Sequence, residues 1–422
     1  MNKQNKQLKK VATDDLRIGM FVKDVGRSWL THPWATKSKL VTSQRDIDQL
    51  REHGITEVIV DEAKSVTPKQ VSQEIEQSRP EPEEAPRKIQ DIERRKKPRP
   101  EVRPDTASME EELPRARQAY ERALEVTRSL IMDVRAGRKI NVEQVQENVD
   151  QMIDSVFRNR DAMVAILKLK TYDEYTFTHS INVATLAVAA ARDLGFERER
   201  LMALGVGGIF HDVGKTGIPS IILNKPDRLT DEEFDVIKRH PAIGHELMTA
   251  YGQLSPAALE VVRHHHERLD GTGYPDGLSG QKVNAYIIVS GMADIYDALS
   301  SDRVYHKGRP PHEALKILFS LRGKHFPESW VDRFIQSIGI YPVGTTVRMN
   351  TDEIGVVVSV NHANTLRPKV RLVLSPSGQP VTRVKIIDLN QADGISEREI
   401  VKIVDPGPLR LNPAQYIEGP QG

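Results

Sequence analysis

The sequence contains no cysteine. That absence excludes disulfides, thiolate nucleophiles, zinc fingers and cysteine-ligated clusters, so any metal ligands must be His, Asp or Glu. It also lacks an excess of either charge, with 60 Lys and Arg against 59 Asp and Glu and a formal net charge of +1. Without a global field, neither a nucleic-acid polymer nor an anionic membrane is an expected partner, and an anionic substrate must be held by a local site. Long hydrophobic runs are missing too. The basic start MNKQNKQLKK has no apolar segment behind it, and the longest run, near INVATLAVAA, is too short to cross a bilayer. These features predict a cytoplasmic protein without a membrane span.

What is present has the length for two or three domains, at 422 residues. Residues 1–64 read as a small α/β domain. LRIGMFVKDV and GITEVIVD have the β-former content of strands, and SQRDIDQLREHG between them runs from a capping serine to a terminal glycine, as a helix does. Residues 65–108 carry prolines and mixed charge in SRPEPEEAPRK and ERRKKPRPEVRP, too few apolar groups for a core, and read as a disordered linker. Helical periodicity then predicts a bundle over 109–340. Short β-rich runs, YPVGTTVRM, EIGVVVSV, PKVRLVLSP and VKIIDL, predict a small sheet within 341–422. The expected fold is mainly α, flanked by these two smaller units.

Histidines are concentrated in the bundle: of 13, His179, His211, His240, His245, His264, His265 and His266 fall in one stretch. Asp212 follows the apolar LMALGVGGIF, and Asp294 lies in AYIIVSGMADIYDALS, a helix apolar almost all round. An ionised carboxylate in either place needs a cation or another partner. One or two N or O ligands from each of several facing helices is how bundles build metal centres. Taken singly, each residue has an ordinary explanation: a lone histidine is usually hydrogen-bonded or exposed, and Asp294 has an arginine partner as an alternative. His264 cannot face the same point as its two neighbours and is expected to stand aside, as is His245. GIFHDVGKT is not a phosphate-binding P-loop, because five residues rather than four separate Gly208 from Gly214 and a helix precedes them.

HDVGK at 211–215, HPAIGHEL at 240–247, HHERLDGTGYPDGL at 265–278 and ADIYDALSSDRVY at 293–305 follow in the order seen in the HD-GYP family of HD phosphohydrolases, which the chain resembles from about Glu143 to Ile338. Residues 11–64, with GMFVKDVGRSWLTHPW, look like the small domain found ahead of some HD-GYP domains. The resemblance implies an HD-type helical bundle and a cyclic di-GMP phosphodiesterase of bacterial signalling, forming the linear dinucleotide and in some members GMP. It implies metal ligation by His179, His211, Asp212, His240, His265, His266 and Asp294, with Asp212 bridging two divalent ions drawn from Fe, Mn, Ni or Co. Lys215 is implied beside the scissile phosphate. Arg303 and Lys307 are implied as phosphate contacts, and Gly273, Tyr274 and Pro275 as a loop shaping the pocket or meeting signalling partners.

His265 and His266 are expected to serve neighbouring ions. The family's glutamate for a third ion, four residues before the first ligand histidine, is here Tyr175. Two metals are therefore expected, activating a water and polarising the phosphate, with Lys215 adding positive charge where negative charge develops. Two other readings remain at this point: a module that binds cyclic dinucleotide or protein without cleaving it, and a hydrolase for another nucleotide. The sequence leaves oligomeric state and regulation open, and no receiver-like aspartate pattern appears.

Overall fold

A computed structural model describes residues 8–25, 39–41, 44–52, 55–67, 105–167, 175–225, 227–301, 308–391 and 398–417. Arg303, Lys307, most of the expected linker and the RSWLTHPW portion of the amino-terminal resemblance lie outside these residues. The chain divides into two compact units, Met1–Arg99 and Pro100–Gly422.

The first unit is one antiparallel sheet with a helix. Strands β1 (Leu8–Ala12), β2 (Phe21–Asp24), β3 (Lys39–Leu40) and β4 (Glu57–Asp61) are ordered β1-β4-β2-β3, and α1 spans Gln44–Glu52. Val22, Val58 and Val60 from the strands and Ile47 and Leu50 from the helix form its core. In β4 the alternation of exposed and buried residues matches a strand with one wet face. The strand expected in LRIGMFVKDV is shorter than that run: Leu16 is buried, but residues 13–15 form a 3-10 turn and pairing begins at Phe21.

The second unit opens with α2 (Met109–Arg135), whose Ser108 and Glu111 form a reciprocal capping box. There follow α3 (Val142–Arg158), α4 (Arg160–Ile166), α5 (Tyr175–Asp193), α6 (Arg198–Phe210), α7 (Ser220–Leu223), α8 (Asp231–Ile237), α9 (His240–Tyr251), α10 (Pro256–His264), α11 (Ala285–Ser300), α12 (Pro311–Ser320) and α13 (Glu328–Ile338). Helices α5 and α11 are central: residues 179–192 of α5 are buried without a break, as are 287–297 of α11. A helix apolar on every side belongs inside a bundle. Helix α6 lies against α5 at unusually short range, since a Cβ on Gly208 would fall 2.7 Å from the Ala184 Cα. Only glycine permits that approach, which seats the end of α6 against the middle of α5.

Beyond the helices, β5 (Thr346–Met349), β6 (Ile354–Ser359), β7 (Lys369–Leu374), β8 (Ile386–Asp388) and β9 (Ile400–Ile403) form an antiparallel sheet ordered β8-β7-β6-β5-β9. One apolar cluster contains Val347, Val357, Val370 and Leu372, and a second gathers Ile354, Val356 and Val373. Asp161 of α4 ties this sheet to the helices. Its carboxylate accepts from the Val360 backbone N–H at 2.8 Å, the Ser359 hydroxyl at 3.1 Å and His362 Nε2 at 2.9 Å.

Candidate metal centre

Five elements deliver the expected ligands to one place. His179 comes from the second turn of α5, His211 and Asp212 from the end of α6, and His240 from the first residue of α9. His265 and His266 follow α10, and Asp294 sits mid-α11. They form two groups, Asp212 with His240, His265 and His266, and His179 with His211 and Asp294, the ligand atoms of each lying within 4.8 Å of one another. His265 and His266 both fall in the first group, their ring centroids 4.1 Å apart, and His265 also lies 4.9 Å from the ring of His211 in the second.

The carboxylates stand between the groups. Asp212 Oδ1 is 3.2 Å from His240 Nε2, while Oδ2 is 3.4 Å from His211 Nε2 and 3.7 Å from His179 Nε2. Asp294 straddles them as well, with Oδ1 3.3 Å from His179 Nε2 and Oδ2 3.6 Å from His266 Nδ1. Lys215, in the turn Val213–Gly217 after α6, forms an ion pair with Asp212 Oδ2.

The outer nitrogens fix the rings. Nδ1 of His211 donates to the Gly208 carbonyl at 2.7 Å, and that of His240 to the Ile237 carbonyl at 2.8 Å. His265 Nδ1 lies 3.2 Å from the carbonyls of Val261 and Val262, and His179 Nδ1 meets Asp297 Oδ2 at 2.7 Å. A proton held on Nδ1 leaves Nε2 as a bare lone pair pointing inward, the tautomer a metal requires.

Two of the inner atoms have no hydrogen-bond partner despite full burial, His211 Nε2 and Asp212 Oδ1. Each such group costs about 1–3 kcal/mol. The Nε2 atoms of His240 and His265 are 3.3 Å apart, a pairing of two lone pairs unless a proton or cation lies between. Cations resolve both features, so the residues present fit divalent metal.

Protonation states agree. Burial holds His265 and His266 well below the usual imidazole range, with neighbouring histidines adding to the effect. Burial works against ionisation of Asp212, but Lys215 and then His211 hold it well below the carboxylate range, and His179 does the same for Asp294. Burial also opposes charge on His179, yet hydrogen bonds to Asp294 and Asp297 push it up to about 9. A proton there occupies a place that a cation beside Asp294 would take.

The remaining expected residues surround this centre. Tyr274 lays its ring 4.6 Å from that of His266, with the rings tilted 32°, and Gly273 and Pro275 flank it through a cis Tyr274–Pro275 bond. His264 belongs to neither group and instead contacts Asp276 at 2.8 Å. His245 is also in neither group. Asp297 was not anticipated. It lies one turn beyond Asp294 on α11, accepts from Asn182 at 2.6 Å and Ser301 at 2.8 Å, and orients His179. A second acid in an otherwise apolar helix was the available signal.

Fold and site together define a helical, histidine-rich phosphohydrolase of the HD type, and comparison with known proteins agrees. Residues 157–329 match the profile of the HD domain, residues 8–145 that of a domain of unknown function, DUF3391, and residues 346–410 that of a KOW domain associated with the HD domain. The cyclic di-GMP phosphodiesterase PA4108 of Pseudomonas aeruginosa is 35% identical over 386 residues, covering 91% of this chain and 90% of that protein. The cyclic di-GMP phosphodiesterase response regulator RpfG of Xanthomonas campestris is 35% identical over 182 residues, 42% of this chain and 48% of its own. Among solved structures, Bd1817, described as a HDG"Y"P protein from Bdellovibrio bacteriovorus, covers 78% of this chain and 98% of its own at 17% identity and a TM-score of 0.46, a likeness too slight to add to the assignment. The chain belongs to the HD-GYP family, as a member with a DUF3391 domain ahead of the HD domain.

Proposed function

We propose that this protein is a metal-dependent phosphodiesterase that opens cyclic di-GMP to the linear dinucleotide. The observation that carries the reading is the pair of inward-facing ligand groups with Asp212 and Asp294 between them. His179, His211, Asp212, His240, His265, His266 and Asp294 are the ligands of two divalent transition ions. When bound, such ions lower the pKa of a water toward about 7 and neutralise charge on phosphoryl oxygens.

The chain's own groups do the rest. Asp297 and the backbone carbonyls of Gly208 and Ile237 keep the imidazoles in the binding tautomer. Lys215, held at the site by Asp212 and one-third exposed, presents a point charge to the phosphate. Tyr274 supplies an aromatic wall on which a guanine base can stack, with Gly273 and Pro275 shaping its approach. Arg303 and Lys307 complete the phosphate contacts. No side-chain nucleophile is needed. Among the described residues no helix is long and apolar enough to cross a membrane, and a cytoplasmic role in second-messenger turnover follows from the proposed substrate.

Metal analysis of the purified protein, paired with chromatography of cyclic di-GMP reaction products, tests this reading. The linear product should form with metal and cease on chelation. Intact substrate after incubation with metal-loaded protein would overturn hydrolysis in favour of a binding module.

A further inference from the structure

Glu267 is fully buried, with 0% of its surface exposed, and although it directly follows the candidate ligands His265 and His266 it belongs to neither ligand group. Its carboxylate reaches across to the loop after it. Oε1 accepts the Asp276 backbone N–H at 2.7 Å and Oε2 accepts that of Leu278 at 2.9 Å. We propose that Glu267 is a positioning residue for substrate, latching residues 273–278 over the metal centre and so fixing the Tyr274 ring as one wall of the binding site. This rests on the phosphodiesterase reading above.

The surroundings explain why a carboxylate is used. Two N–H donors side by side require two acceptors, and an ionised carboxyl is the one side chain that offers two oxygens and no donor. The loop is folded tightly onto the segment carrying the latch: a Cβ on Gly273 would lie 2.4 Å from the Glu267 Cα and 2.5 Å from the Arg268 nitrogen. Any larger residue at 273 would lift the loop and Tyr274 with it.

Two further contacts brace the same crossing. Outside it, the Asp276 carboxylate accepts from Arg263 Nε at 2.8 Å, from the Arg263 terminal nitrogen at 2.9 Å and from His264 Nε2 at 2.8 Å. Inside it, the buried Arg268 guanidinium donates to the carbonyls of Glu267 at 2.8 Å and His265 at 3.2 Å. His266, next to Glu267, faces both Asp294 and the Tyr274 ring. Ligand segment and substrate wall are thus fastened at one residue, and His264, outside the metal groups, serves the fastening.

Glu267→Gln tests the latch in the full metal-loaded chain. Glutamine keeps one acceptor and turns an NH2 against the other N–H, so the loop loosens while volume is kept. KM for cyclic di-GMP should rise about tenfold, with kcat and bound metal nearly unchanged. Tyr274→Ala alone should raise KM, and adding Glu267→Gln to it should raise KM no further, because the latch acts through Tyr274. Unchanged KM in Glu267→Gln, additive effects in the double variant, or loss of metal together with kcat would each overturn the proposal.

Amide exchange gives a measurement independent of the variant's folding and of activity. In the wild-type protein the amides of Asp276 and Leu278 should exchange slowly, and exchange as fast as in an open loop overturns the latch. Should the wild type leave cyclic di-GMP intact, the phosphodiesterase reading falls, while the exchange result still decides whether the latch exists.

Discussion

The helical centre and the carboxy-terminal sheet belong to one compact unit and are filled by opposite chemistry. At the junction of α5, α6, α9, α10 and α11 the molecule gathers the imidazoles of His179, His211, His240, His265 and His266 around two carboxylates. Inside the sheet it gathers Val347, Val357, Val370 and Leu372. Apolar burial stabilises by about 25 cal/mol per Å² and asks nothing further of the residues. Buried polar atoms left without a partner, here His211 Nε2 and Asp212 Oδ1, oppose folding until something binds. The sheet therefore carries its share of stability at all times, whereas the centre gains stability on loading.

The largest effect that tests this contrast is expected from Asp212→Ala. Turnover should fall by about a thousandfold or more and bound metal should drop, since one of the two carboxylates facing both groups is gone. Without metal the variant should also lose stability, because Lys215 and the surrounding histidines are left without the carboxylate that pairs with them; a metal-dependent rise in melting temperature as large in the variant as in the wild type would break the comparison. Next comes Leu372→Ala. It should cost about 2–5 kcal/mol by denaturant titration, with kcat and metal content intact in the folded fraction.

A smaller effect is expected at the seam between the two regions. Asp161→Asn weakens the contacts to Ser359, Val360 and His362 and should cost about 1–3 kcal/mol near neutral pH. Burial alone would raise the Asp161 carboxyl, but the hydrogen bond and charge of His362, with Arg160 and the Val360 N–H, hold it below its ordinary value. A depressed folded-state pKa adds stability that is complete above the unfolded value, near 3.9, and is lost as pH falls through the folded one. Melting curves of wild type and variant should therefore converge below about pH 4. The smallest effect belongs to Arg198→Ala, which breaks pairs with Asp150 at 2.6 Å and Asp154 at 2.8 Å on a half-exposed surface. Its cost should be about 0.2–1 kcal/mol and should shrink with added salt.

The sequence was most legible where periodicity was long and chemistry concentrated. The 27 residues of α2 carry enough turns to declare a helix, and the acids at 212 and 294 stand out against apolar neighbours. Short edge strands were not legible. LKKVA of β1 has two lysines and one partly buried residue in five, and IVKI of β9 is four residues with no fully buried position, so neither shows the alternation that marks a strand. Their pairing comes from neighbours distant in sequence, Glu57–Asp61 for β1 and Val347–Met349 for β9.

Within the centre, residue types announced the candidate ligands but not how they group. Which group His265 and His266 join depends on how the chain turns after α10, and a cluster of adjacent histidines does not encode that turn. Glu267 was silent, since nothing in its spacing reports that its carboxylate turns back onto the Asp276 and Leu278 amides; Asp297 was marked as an acid in an apolar helix, but its partner His179 lies 118 residues away.

The carbonyls that accept from His211, His240 and His265 belong to the turn just before each ring. The orientation of these three rings is thereby inherited from the main chain, whereas that of His179 depends on the Asp297 side chain. Substitutions around the pocket that spare Asp297 and Glu267 can remodel what enters it while these rings keep their aim.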